Sequence, residues 1–226
     1  DDGGNALWLV DPGNVHGLEL VANALSLTLG EGTLIDPSTK SFAGFGLGNP
    51  TFVLVTRYGR HPTLDGFNFM TVFPGVRPLS VTPGGAWKAQ VLLRTGDQVW
   101  EESGQIQGTV GFDADSDTAG PFDIAYSFTR DLPDAKGEQR IVVVADGDFL
   151  SNSALGNSGN LDLGLRFITW LSSDDGLLKI PARSDPDLTL SLTRTETGII
   201  GIGWFIVAPL VLLSIGAVVW LRRRHR

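Results

Sequence analysis

The stretch that most constrains this chain is residues 198–221. It reads GIIGIGWFIVAPLVLLSIGAVVWL, 24 residues without a charged side chain, and RRRHR follows directly. A helix of that length spans about 36 Å at 1.5 Å per residue, enough to cross a hydrocarbon core of about 30 Å with some tilt. Ile, Val, Leu and Phe fill 14 of the positions. Trp204 and Trp220 lie near the two ends, where indole rings suit the headgroup region. Pro209 falls mid-span, where lipid-embedded helices tolerate proline. A buried core helix is the other reading, but such helices rarely run this long or end on Arg222, Arg223, Arg224 and Arg226. The expectation is a transmembrane helix over 196–221 and a basic tail over 222–226. Positive residues stay cytoplasmic. Residues 1–195 would then be extracytoplasmic, which in a bacterium means a periplasmic domain on the inner membrane.

The chain carries a net charge of −8, and its four tail arginines contribute +4. The remainder is therefore at about −12, a poor match to nucleic acid, which needs a basic face. There is no cysteine, which removes disulfides, thiolate metal sites and a cysteine nucleophile together. The sequence opens on Asp1-Asp2-Gly3-Gly4 without Met, and its first strand-like run is wholly apolar, as an interior strand would be. Both features lead us to expect further sequence upstream.

Residues 5–10 (NALWLV) read as a buried strand, Asp11-Pro12-Gly13-Asn14 as a turn, 16–27 as a helix and 33–36 as a second strand. Strand, turn, helix and strand in that order predict an open α/β layer fold with a mainly parallel sheet. Further strands are expected over 51–56, 69–73, 88–94 and 122–129. The β-branched run 141–145 (IVVVA) reads as a central strand. Leu161, Leu165, Ile168 and Leu171 mark a helical stripe that should pack on the sheet. Short extended segments are expected over 177–180 and 188–192.

Strand ends supply the candidate site residues. Arg57, Tyr58, Arg60 and His61 follow one strand, where open α/β sheets place binding groups. The plainer alternative has the arginines pairing with surface carboxylates and His61 capping a turn. Asp146 and Asp148 follow another strand, with Asn152 just beyond. Two carboxylates at a strand exit could bind a metal or act as acid and base, or they could cap a turn through backbone bonds. Asp113, Asp115 and Asp117 alternate as calcium ligands do, but Thr118 and Ile124 stand where an EF-hand wants Gly and Glu, so the run reads as a solvated acidic loop. The glycines of 41–50 (SFAGFGLGNP) lack the Lys-Ser/Thr of a phosphate loop.

Four stretches, GGNALWLVDPG, NPTFVLVTRYGRHP, RIVVVADGDFLSN and GNLDLGLRFITWL, together with the terminal apolar span and arginine tail, give the chain a likeness to a known family. It resembles the GldG-type auxiliary components of ABC transporters, associated with gliding motility. The family's usual Asp-Ser-Asp-Phe stands here as Asp146-Gly147-Asp148-Phe149. The resemblance implies a flavodoxin-like or class I amidotransferase-like α/β domain, and a permease and an ATPase as partners. It carries over no catalytic residue, metal or cofactor, and the amidotransferase cysteine is absent.

The function expected from these readings is a non-catalytic, membrane-anchored auxiliary subunit. Asp11, Arg57, His61, Asp146, Asp148 and Asn152 are its candidate binding residues, with Trp204, Pro209, Trp220 and Arg222–Arg224 as its anchor in the lipid bilayer. The alternatives are an envelope scaffold and a membrane-anchored periplasmic hydrolase. A hydrolase would have to use Asp11, Asp146 and Asp148 if those strand ends adjoin, with only His16 and His61 as imidazole bases outside the tail. No Gly-x-Ser-x-Gly elbow is present.

Overall fold

A computed structural model describes residues 4–104, 106, 110–132, 137–172 and 203–224. The chain divides into two units, Asp1–Ala182 and Arg183–Arg226. In the first unit the strands are β1 (Ala6–Leu9), β2 (Leu27–Leu29), β3 (Thr33–Ile35), β4 (Val53–Val55), β5 (Arg57–Tyr58) and β6 (Thr71–Phe73). They continue with β7 (Leu79–Val81), β8 (Lys88–Arg94), β9 (Trp100–Glu102), β10 (Thr118–Ala119), β11 (Asp123–Asp131) and β12 (Glu138–Val144). Two α-helices accompany them, α1 (Glu19–Ala24) and α2 (Asn160–Leu171).

The main sheet runs β1-β12-β11-β7-β2, with β8 also pairing β11 and β5 pairing β8. Smaller sheets join β10-β9-β3 and β4-β6. β12 ends in Val142, Val143 and Val144, all fully buried, with β1 on one side and β11 on the other. This β-branched run fits a strand enclosed on both faces.

The pairing corrects the expected mainly parallel α/β sheet. Among the described strands only β1 and β12 run parallel, whereas β11–β12, β8–β11, β7–β11, β2–β7, β5–β8, β4–β6, β3–β9 and β9–β10 are antiparallel. The reason lies in the connections. A parallel neighbour needs a crossover of a dozen or more residues, while Asp131 and Glu138 are too close in sequence for anything but an antiparallel return. The expected helix over 16–27 shrinks to Glu19–Ala24. His16 (φ 51°), Gly17 (φ 95°) and Ser26 (φ 53°) adopt left-handed backbone at its two ends, and β2 takes the residues beyond.

α2 forms where expected but turns a different face inward. Leu163, Gly164, Phe167, Trp170 and Leu171 are buried, whereas Leu161, Leu165 and Ile168 stay 50%, 47% and 53% exposed. Both sets satisfy helical spacing, and the larger aromatic area of Phe167 and Trp170 decides which face the core takes. Leu165→Lys is therefore expected to shift unfolding stability by no more than about 0.5 kcal/mol, as surface changes do. A loss of several kcal/mol in denaturant titration would place Leu165 in the core after all.

The second unit corrects the transmembrane expectation. Gly203–Val207 is π-helical, and the α-helix α3 runs Ala208–Arg224, 17 residues ending on Arg222, Arg223 and Arg224. The apolar part of α3 is thus about 21 Å long, short of the roughly 30 Å hydrocarbon core. No helix among the described residues is long and apolar enough to cross a membrane. The π-helical turn runs directly into α3, and the change from i→i+5 to i→i+4 bonding falls beside Pro209, which has no N–H to donate. The bilayer-spanning anchor at 196–221, and the inner-membrane and periplasmic placement built on it, are withdrawn. The segments 177–180 and 188–192 lie outside the described residues.

Candidate functional site

β1 and β12 run side by side, so their C-terminal ends open at the same place. Val10 donates its N–H to the Val144 carbonyl at 2.9 Å and closes the ladder. The next residues, Asp11 and Asp146, therefore leave the sheet together, and Asp148 follows on the turn Asp148–Leu150. Oxygens of the three carboxylates all lie within 4.8 Å of one another. The strand ends that a carboxylate site requires do adjoin.

Each carboxylate here has a backbone task or a neighbour that has one. Asp146 is fully buried. Its Oδ1 accepts the Asp148 N–H at 2.6 Å, and its Oδ2 accepts the Gly75 N–H at 3.4 Å. Asp11 Oδ1 accepts the Gly147 N–H at 2.6 Å. Burial pushes the Asp146 carboxyl up to about 7, and the charges of Asp11 and Asp148 push the same way against the two N–H bonds. The spacing would suit one hard cation, but a cation would have to compete with the N–H donors already on Asp11 and Asp146.

Gly147 fits this corner without needing glycine's freedom, since its φ is −87°. A Cβ added there would sit 3.1 Å from both Asp11 oxygens, a contact that an exposed carboxylate can relieve by a small rotation. Gly147→Ser is expected to change stability by less than about 1 kcal/mol. A thermal-melt loss well beyond that would show a more rigid corner.

The remaining candidates lie elsewhere. Arg57 sits on β5, separated from β12 by β8 and β11. Its guanidinium grips Asp97 through two hydrogen bonds, 2.8 and 3.0 Å. His61 is buried against Trp170, ring centroids 4.8 Å apart. Its Nδ1 accepts the Thr63 N–H at 3.2 Å and so caps the turn Pro62–Leu64. Burial, with the Arg140 charge adding to it, lowers the imidazole to about 4. Asn152 is exposed on the turn beyond Ser151. The acidic run closes on itself, with Asp113 accepting from Asp115 N–H and Asp117 from Asp113 N–H. In the second unit Trp204 and Trp220 are exposed, and the Arg224 guanidinium lies 5.3 Å over the Trp220 ring.

Three organising residues escape sequence reasoning. Asn160, at the start of α2, is fully buried. Its Oδ1 accepts the Val72 N–H, and its Nδ2 donates to the carbonyls of Val72, Phe149 and Ala154. Arg77 is buried and donates to the carbonyls of Gly30, Asp11 and Gly13. Asp36 caps Pro37–Phe45 through Ser38 N–H and also accepts from Leu54 N–H. Only Asp36 carried a usable signal, an Asp-Pro-Ser start of the kind that opens a helix.

No protein-family profile and no curated protein matches the chain. Among solved structures it is similar to "mmIFT52 N-terminal domain", with a TM-score of 0.52 and 14% identity over 75% of this chain. The chain spans 65% of that structure's length. At that identity the likeness speaks for the fold alone. It replaces the flavodoxin-like or amidotransferase-like expectation, and it is not a likeness to a transporter component.

Proposed function

We propose that the first unit is a non-catalytic binding module, an auxiliary subunit that holds partner proteins in a larger assembly. The observation that supports this is how the reactive-looking side chains are used. Asp11, Asp146 and His61 each accept backbone N–H bonds from a neighbouring turn, so they fix the loops at the sheet's ends. The partners to test first are an ABC permease and its ATPase, which rest on the sequence resemblance alone. Capture of the tagged full chain from its native cells under gentle conditions, followed by mass spectrometry, tests the proposal. Stable recovery of partner subunits supports it, and recovery of the chain alone overturns it.

A hydrolase is the second reading. One observation favours it: a carboxyl raised to about 7 beside two others is the usual arrangement of an acid–base pair. Burial weighs against it, because a fully enclosed Asp146 cannot touch a substrate without the corner opening. Hydrolysis by the purified chain that disappears in Asp146→Asn, with folding intact, would establish this reading.

A further inference from the structure

We propose that the groove beside β5 is an anion-binding site that takes an Asp/Glu-rich segment of a partner protein. This deepens the binding-module reading and rests on it. The groove holds about 360 Å³ and is lined by Arg57, Tyr58, Arg60, Gln90 and Arg94. Arg57 and Arg94 are direct cross-strand partners, and like charges so placed repel. Each is held by its own carboxylate, Arg57 by Asp97 and Arg94 by Asp123 at 2.6 and 3.1 Å. An arginine has five N–H donors, and each of these ion pairs uses two, so both guanidinium groups keep donors to spare.

Arg60 adds a third cation. Its guanidinium is exposed and has no hydrogen-bond or ion-pair partner among the described residues. Its backbone is fixed, because Gln90 Nε2 donates to the Arg60 carbonyl. Gly59 shapes the floor. Its N–H reaches the Leu92 carbonyl at 2.8 Å, and a Cβ there would overlap the Val91 carbonyl oxygen. Only glycine lets the chain lie this close to β8. The result is three guanidinium groups gathered in one groove of a domain that is otherwise strongly acidic. The two ion pairs already present show that the groove's arginines engage carboxylates in paired, fork-like geometry.

The test is binding of fluorescein-labelled hexaglutamate to the full chain, with hexaglutamine and inorganic phosphate as competitors. Hexaglutamate should bind and weaken steeply as salt rises from about 0.05 to 0.5 M, while hexaglutamine should not compete. Arg60→Ala should weaken binding about fivefold and Arg60→Glu at least tenfold, with Arg60→Lys recovering most of it and all three melting like wild type. Equal binding by wild type and Arg60→Glu, no hexaglutamate binding, or displacement by millimolar phosphate as effective as by hexaglutamate would each overturn the assignment. Partner capture with no hexaglutamate binding would sink the groove and leave the binding-module reading. Hexaglutamate binding without any captured partner would do the reverse.

Discussion

Asn160→Ala should destabilise the first unit by about 4 kcal/mol or more. The side chain is enclosed at the start of α2 and bonds four backbone groups, the N–H and C=O of Val72 and the carbonyls of Phe149 and Ala154. It ties β6, the turn after β12 and the first turn of α2 to one point. Truncation takes the Asn160 partner from the Val72 N–H and C=O and the Phe149 carbonyl, while the Ala154 carbonyl keeps the Asn157 N–H at 2.9 Å. Each buried orphan costs roughly 1–3 kcal/mol, partly recovered if water enters the cavity. Domains of this size are stable by only about 5–15 kcal/mol, so the variant would lie near the edge of folding. Asn160→Asp keeps the shape but presents an oxygen to three carbonyls, and it should be at least as damaging. Denaturant titration of both variants is the check. A midpoint equal to wild type would show that this anchor holds nothing.

The second large effect is a concealed pH dependence. Folding raises the Asp146 carboxyl from 3.8 to about 7, so the folded state holds that proton more tightly than the unfolded one. The resulting stabilisation is full below about pH 4 and is lost as pH rises through about 7. At about 1.4 kcal/mol per pKa unit it is on the order of 4 kcal/mol. His61 has the opposite sign. Its folded value falls from 6.5 to about 4, so its contribution is present above 6.5 and is lost as pH falls through about 4. Between pH 4 and 6.5 the two offset each other, and the wild-type profile should be shallow. Asp146→Asn should gain stability relative to wild type as pH rises across this window. His61→Asn, whose Oδ1 can still cap Thr63, should lose it. Melting midpoints at half-unit steps from pH 4 to 8 give the comparison, and parallel profiles for wild type and Asp146→Asn would contradict the burial account.

The strands were legible because their residues leave little choice. IVVVA is an enclosed β run in the sequence and in the fold, whereas NALWLV forms its strand at the sheet's edge, with Asn5 and Ala6 exposed, Leu7, Trp8 and Leu9 half-buried and only Val10 enclosed. The parallel pairing of the two is the part of the expected sheet that appears. The rest of the topology was also written in the chain, as linker length. Antiparallel return was implied by the short path between the strand ending at Asp131 and the one starting at Glu138. The strand-end site was half legible: exits at Asp11 and Asp146 can be read, but their adjacency follows from pairing. Asn160 and Arg77 were hidden because a buried amide or guanidinium looks, in sequence, like any polar residue in a loop. The apolar run at 198–221 misled for a related reason. Hydropathy counts residues, whereas the regular α-helix starts only at Ala208, after the π-helical Gly203–Val207, and its last turn is already arginine.

The most direct test of the binding-module account is co-purification of the full chain from its native cells, quantified by mass spectrometry against an untagged control. The account predicts one or more partner subunits in constant ratio to the chain, retained through a second purification step. Recovery of the chain alone, in every condition that keeps it folded, would contradict it.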